Sequence, residues 1–142
     1  MVINMEEKIM NKLIKMLQKA NKNDEVPVSA IITKNNKIIA ATYNKREKNN
    51  DVLGHSEIIC IKKASKKLHT WKLDECNMYV TLKPCGMCEK IIKESRIKNV
   101  FYIIDRSIEK KEYNKTNIKK ICNNILEEKI KKIMNEFFKS KR

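Results

Sequence analysis

The sequence predicts an α/β fold in which a mixed sheet has helices on its faces. Two observations predict it. Strand-like and helix-like segments alternate through the middle of the chain, and each carries the apolar spacing typical of its type. Such alternation requires crossover connections, which place helices against a sheet. Because 142 residues is the length of one domain, and only two glycines and two prolines are present, we expect a single domain over residues 1–142.

The first third of the chain predicts a helix followed by a β-hairpin. In residues 5–20 the apolar side chains recur at helical spacing. Residues 25–33, EVPVSAIIT, and residues 37–42, KIIAAT, are rich in β-branched side chains, and Asn35-Asn36 separates them as a turn would. A polar loop then leads to Gly54.

The remaining segments predict two helix–strand pairs and a terminal helix. They are a helix in HSEIICIKKASKKL (55–68), a strand in MYVTL (78–82), a helix that begins at Cys85 and Cys88 and continues through EKIIKESRI (89–97), a strand in VFYII (100–104) and a long charged helix over roughly 118–139. In sheets of this kind, sites form beyond the strand ends, where helices begin.

The composition indicates a soluble, cytoplasmic protein. No apolar run approaches the ~18 residues of a membrane-spanning helix, and the N-terminus lacks the pattern of a secretory signal. The formal net charge is +15, but 28 of the 32 basic residues are lysine, as an A+T-rich genome would encode. Whether the charge reflects genome composition or a binding function, it leaves a surface that attracts polyanions such as nucleic acid.

Cys85 and Cys88 form a C-x-x-C pair directly after Pro84. At a helix start, residues three apart point the same way, and Pro84 suits the first turn. The free N–H groups there favour thiolates, which serve both metal binding and redox chemistry. The pair alone therefore leaves a zinc site and a redox pair open.

His55 and Glu57 change that balance. They converge on one point if His55 lies at the first turn of its helix, which the boundary after Gly54 allows. A capping glutamate beside a surface histidine is the alternative for this triplet alone. Together with the cysteine pair at the next strand–helix junction, His55, Cys85 and Cys88 predict a catalytic zinc site, with three protein ligands and one open position for water. Glu57 is then the candidate acid and base, and His69 a weaker candidate ligand.

These motifs resemble the cytidine deaminase-like superfamily, of which H-x-E with P-C-x-x-C is the zinc signature. Within it, the chain is similar to the bacterial tRNA-specific adenosine deaminase family in EVPVSAII, Asn44, GHSEI, YVTLKPCGMC, ESRIKNV and the terminal segment. The resemblance implies a three-layer α/β/α cytidine deaminase-like fold with a central mixed sheet of about five strands. It also implies a homodimer that binds the anticodon stem-loop of tRNA.

Residue by residue, the resemblance implies one zinc ion per subunit on His55, Cys85 and Cys88, with Glu57 as the proton shuttle. It places Asn44 in contact with the target nucleoside, although a turn residue at a strand end is the alternative. Phe137 and Phe138 match an aromatic pair near the family's substrate entrance. The chain departs from the family at Ser29 (usually glycine), Ser56 (usually alanine) and Lys83 (usually glutamate), and in a shortened loop after Ile104, where Asp105 could replace the family's aspartate.

Three functions are therefore compared. The first is hydrolytic deamination of adenosine to inosine at the wobble position of tRNA. The second is deamination of a free nucleobase or nucleotide, namely deoxycytidylate, cytosine or guanine, because the metal site does not distinguish the ring. The third is a non-catalytic, zinc-stabilised RNA-binding module, against which the positioned Glu57 counts.

Overall fold

A computed structural model describes residues 4–106, 116–120 and 124–141. The chain divides into two compact units, Met1–Ile108 and Glu109–Arg142. Within the described residues, no helix combines the length and the apolar character needed to cross a membrane. The single domain over residues 1–142 stays a prediction.

Helix α1 spans Met5–Lys22 and confirms the helix predicted for residues 5–20. Asn4 caps it, since the Asn4 Oδ1 atom accepts the N–H of Glu7 at 2.8 Å. The buried side chains lie on one face of the helix: Ile9, Leu13, Met16 and Ala20.

Strands β1 (Ser29–Lys34) and β2 (Lys37–Tyr43) form the predicted antiparallel hairpin. The two residues between them, Asn35 and Asn36, have φ angles of 51° and 59°. Two consecutive residues with positive φ form the hairpin turn that matches strand twist, and asparagine tolerates that conformation.

The first strand was predicted from residue 25 but begins at Ser29. Two features keep the preceding residues out of the sheet. Pro27 has no N–H to donate to a neighbouring strand. The buried carboxylate of Glu25 instead accepts the backbone N–H groups of Glu47 and Lys48, at 3.0 and 2.7 Å, and so holds the loop that follows β2.

The rest of the first unit comprises α2 (Ser56–Leu68), β3 (Cys76–Leu82), α3 (Gly86–Glu94) and β4 (Asn99–Ile104). The sheet order is β2-β1-β3-β4, with β1 antiparallel to both β2 and β3, and with β3 parallel to β4. Strands β2 and β3 therefore run in the same direction, and both end at the same edge of the sheet.

Helices cover both faces, which confirms the three-layer α/β/α architecture. Ile31 of β1 packs with Ile9 and Leu13 of α1. Its neighbours in β1, Ala30 and Ile32, face the opposite side and join a larger core with residues of α2 and α3. This alternation follows from the two-residue period of a strand buried on both faces.

Three observations correct the predictions. The sheet has four strands in the described residues, where about five were expected. Helix α3 spans Gly86–Glu94 and therefore begins at the cysteine pair, as predicted, but it ends before residue 97, because Arg96 has a φ of 64°, which a right-handed helix cannot continue. Pro84 precedes the N-cap of α3, Cys85, and so lies outside the first turn predicted for it.

In the second unit, α4 spans Asn124–Ser140. The terminal helix was predicted from about residue 118, but residues 116–120 have no regular structure. Thr116 and Asn117 are among the weaker helix formers. The shortened loop predicted after Ile104 lies mainly in residues 107–115, outside the described residues.

Candidate metal centre

His55, Cys85 and Cys88 meet where two helices begin. His55 is the N-cap of α2 and Cys85 is the N-cap of α3, and both have extended backbone conformations. Because β2 and β3 run the same way, the helices that follow them both begin at one edge of the sheet. His55 lies at the entry to α2, which is the position that the predicted convergence of His55 and Glu57 requires.

The three donor atoms are within 4.8 Å of one another. The Nδ1 atom of His55 lies 3.5 Å from the Sγ atom of Cys88 and 3.8 Å from that of Cys85. A tetrahedral zinc ion with ~2.3 Å bonds to sulfur and ~2.1 Å bonds to nitrogen separates such donors by about 3.6 Å. The donor set and its spacing therefore fit zinc.

The centre is closed on one side and open on the other. Cys88 has no exposed surface, whereas His55 and Cys85 are partly exposed. Burial raises the pKa of the Cys88 thiol above its ordinary value, and the nearby Glu57 carboxylate raises it further. A divalent cation acts in the opposite direction, because a thiol that coordinates it is deprotonated.

His69, the weaker candidate ligand, is not part of this group. It ends α2 in a left-handed conformation, with a φ of 56°, at the opposite end of that helix from His55. Among the described residues, the group that could hold a metal consists of His55, Cys85 and Cys88.

Glu57 lies two residues after His55 and is only 3% exposed. One of its carboxylate oxygens, Oε1, accepts a hydrogen bond from the Oγ atom of Ser56 at 2.7 Å. A buried carboxylate is costly unless it is hydrogen-bonded, and this contact provides one such bond.

Asn44 follows β2 directly and lies close to the start of α2. Its Oδ1 atom accepts the N–H of Ser56 at 2.8 Å, and its own N–H donates to the carbonyl of Val28 at 3.1 Å. Asn44 therefore satisfies one of the N–H groups that a helix start leaves without an intrahelical partner. This bond was not predictable from local sequence, because it joins residues twelve positions apart that the fold brings together.

Thr42, which lies within β2, was not singled out from the sequence. Its Oγ1 atom donates to the carbonyl of Ser56 at 2.7 Å, and both residues are buried. Thr42 and Asn44 together fix the position of the first residue of α2. A polar residue at an inward position of a strand was the available signal.

The predicted aromatic pair is on α4, in the second unit. The rings of Phe137 and Phe138 meet edge to face, with centroids 5.4 Å apart. Lys83, in the first unit, is exposed, and its ammonium lies 5.8 Å from the centre of the Tyr102 ring.

Comparisons with known proteins show the family to which the chain belongs. The family described as MafB19-like deaminase matches residues 4–142. A tRNA-specific adenosine deaminase of Bacillus subtilis is 38% identical over 97 residues, which cover 68% of this chain and 60% of that protein. A tRNA-specific adenosine deaminase of Buchnera aphidicola is 37% identical over 134 residues, 87% of each chain.

A solved structure is also similar to this chain. It comes from biochemical and structural studies of A-to-I editing by tRNA:A34 deaminases at the wobble position of transfer RNA. It has a TM-score of 0.67 and 33% identity, and the match covers 68% of this chain and 75% of that one. The chain therefore belongs to the MafB19-like deaminase family, and it is a relative of the bacterial tRNA-specific adenosine deaminases.

Proposed function

We propose that this protein deaminates adenosine to inosine at the wobble position of tRNA. One observation carries the proposal: three potential zinc ligands and a buried glutamate meet at one sheet edge. The similarity to tRNA-specific adenosine deaminases over 134 residues supports tRNA as the substrate. The chain spans only 60% of the Bacillus subtilis relative. The activity is therefore proposed from the residues of the site and not from that similarity alone.

In this proposal His55, Cys85 and Cys88 hold one zinc ion per subunit. Zinc held by these three residues would supply a bound water whose pKa is lowered towards neutrality. The partial exposure of His55 and Cys85 provides the side from which a nucleoside could approach.

Glu57 is the acid and base of the reaction. Its carboxylate takes a proton from the attacking water and passes it to the ring nitrogen next to the carbon under attack. It then takes the remaining proton of that water, now a hydroxyl on the attacked carbon, and gives it to the departing amine, so that adenosine and water give inosine and ammonia. The burial of Glu57 supports this role, because bulk water cannot compete for the proton.

Asn44 is proposed to contact the target nucleoside, as the family resemblance implies. Its side-chain oxygen already binds the N–H of Ser56. The Nδ2 group is therefore the part of this side chain that would donate a hydrogen bond to the substrate. The bond to Ser56 also fixes the direction of that donor.

The proposed partner is the anticodon stem-loop of tRNA, bound by a homodimer in the cytoplasm. The net charge of +15 supports a polyanionic substrate. An unpaired loop base can leave its stack at small cost, which favours an anticodon loop over a duplex. We also propose that residues 1–142 act as one zinc-dependent deaminase domain.

One experiment separates the three functions. Purified, zinc-loaded protein is incubated with total tRNA and, in parallel, with cytidine, deoxycytidylate and guanine. Inosine at the wobble position and ammonia release are then measured. We expect inosine in tRNA, and none with a Glu57→Ala variant. Deamination of free nucleobases or nucleotides alone would contradict the proposal, and tRNA binding without any deamination would support the non-catalytic module.

A further inference from the structure

Ser56 is hydrogen-bonded in three directions and has no exposed surface. Its N–H donates to Oδ1 of Asn44 at 2.8 Å, and its carbonyl accepts from Oγ1 of Thr42 at 2.7 Å. Its hydroxyl donates to Oε1 of Glu57, also at 2.7 Å. The residue thus joins the end of β2 to the proposed acid and base.

Only the third of these bonds depends on the side chain of Ser56. The bonds to Asn44 and Thr42 use backbone atoms, so any residue except proline could make both at position 56. Alanine, which the resemblance places here, would keep both and lose the bond to Glu57. The hydroxyl is therefore a feature of this chain.

The bond to Glu57 adds a restraint on the orientation of its carboxylate. The last torsion of a glutamate side chain is broad and nearly twofold, so its two oxygens are easily exchanged. An O–H group bonded to a carboxylate at 2.7 Å makes a charge-assisted bond, which is about twice as strong as a neutral one. Because Glu57 is buried, water does not compete for that oxygen.

We propose that Ser56 is a positioning residue whose hydroxyl holds Oε1 of Glu57 and thereby presents Oε2 for proton transfer. This inference rests on the proposed deaminase function. Fixing one oxygen gives the other a single direction, and a proton transfer is efficient only when donor and acceptor are already aligned.

The first test is the Ser56→Ala variant, with Ser29→Ala as the matched control. Both serines are fully buried, and the Ser29 hydroxyl donates to the carbonyl of Leu13 at 2.9 Å, within the packing of α1 on the sheet. With enzyme in excess over a tRNA anticodon stem-loop, we expect the single-turnover rate of Ser56→Ala to fall about tenfold, the loss expected for one hydrogen bond. Zinc content and the Kd for the stem-loop should stay unchanged, and Ser29→Ala should match the parent within about twofold.

A rate for Ser56→Ala equal to that of the parent would overturn the proposal. So would a fall in rate accompanied by an equal loss of zinc or of RNA affinity, because the hydroxyl would then act only on the fold.

The second test does not require activity. The zinc-loaded parent, Ser56→Ala, Glu57→Ala and the double variant are unfolded in urea. If the hydroxyl binds the carboxylate, the effects on the unfolding equilibrium constant are non-additive by about fivefold or more. Additive effects would overturn the bond. If the coupling is present but the parent makes no inosine, the deaminase function has failed and the positioning role fails with it, while the hydrogen bond stands.

Discussion

The Nδ1 atom of His55 lies 3.5 Å from the Sγ atom of Cys88, although 33 positions separate the two residues in the chain. The separation is bridged by the fold, because β2 and β3 run in the same direction and each leads to a helix start. A donor pair at this distance matches two corners of a zinc tetrahedron. We therefore expect zinc binding to depend on both residues.

Replacement of Cys88 by alanine is expected to remove zinc. Loss of an outer partner of a metal ligand lowers affinity by ~10–100-fold, and loss of a ligand itself should exceed ~100-fold. Zinc content after dialysis, measured by atomic emission, checks this. Cys76→Ala is the matched control, because Cys76 is also fully buried but does not belong to the group. It should keep about one zinc ion per chain, and a zinc-replete Cys88→Ala variant would contradict the assignment.

Glu57→Gln is expected to abolish deamination without loss of zinc or RNA binding. Glutamine keeps the size of the side chain but cannot take up a proton, and general acid–base groups contribute roughly 10²–10⁴-fold to rates. Inosine formation, zinc content and stem-loop affinity are measured on the same preparation.

The control for Glu57→Gln is Glu89→Gln. Glu89 is a carboxylate in the first turn of α3, is exposed, and pairs with Lys93 at 3.1 Å. An exposed pair of this kind contributes little, so activity should remain at the parental level. If Glu57→Gln kept more than about a tenth of the parental rate, its role as acid and base would have to be abandoned.

The sequence predicted that His55 and Cys85 lie at helix starts, because helix starts depend on local features. Gly54 before His55, and Pro84 before Cys85, mark the places where a helix begins, and helix starts follow from residues close in the chain. The convergence of His55 with the two cysteines also followed from strand and helix order. These features need no knowledge of side-chain packing.

The bonds around Ser56 could not be predicted, because they join residues that only the folded chain brings together. Thr42, in β2, and Asn44, directly after it, both bind Ser56 from twelve or more positions away. The late start of β1 had the same cause, since the Glu25 carboxylate is used by a loop more than twenty positions further on. A fifth strand was expected from family resemblance, which describes other chains.

Gly54→Ala is expected to destabilise the fold and to weaken zinc binding. A methyl group at Gly54 would lie 2.5 Å from the Cα atom and from the backbone nitrogen of Arg46. Those are backbone atoms, and the carbonyl of Gly54 also binds the N–H of Lys45, so neither side can yield easily. Overpacking of this kind costs about 1–3 kcal/mol, and the displacement would reach the adjacent His55.

Gly86→Ala is the control for that substitution. Nothing lies within 4 Å of a methyl group at Gly86, and alanine is the better helix former. Unfolding in urea should therefore show a loss of stability for Gly54→Ala and none for Gly86→Ala. Equal stability of the two variants would mean that the Gly54 backbone can move away from Arg46.

The free energy of unfolding is expected to fall in alkali because of a buried thiol, Cys60. Burial raises the pKa of the Cys60 thiol from 9.0 to about 12, and its sulfur faces the carbonyl oxygens of Ala30 and Ala40. Below pH 9 the thiol is protonated in both the folded and the unfolded chain, so it adds no pH dependence. Between pH 9 and 12 the unfolded chain loses this proton and the folded chain keeps it, so the free energy of unfolding falls as the pH rises.

The effect of Cys60 is isolated by comparing the parent with Cys60→Ala. Each pKa unit corresponds to ~1.4 kcal/mol, so between pH 8 and 10.5 the parent should lose about 2 kcal/mol more stability than the variant. Lysines, tyrosines and the other thiols titrate in this range too, but they are common to both proteins and cancel in the difference. Ser29→Ala, which removes a buried hydroxyl that does not ionise in this range, should keep the parental slope. An equal loss in the parent and in Cys60→Ala would show that the folded protein opens to ionise this thiol at little cost, and that the core between α2 and the hairpin is not closed to water.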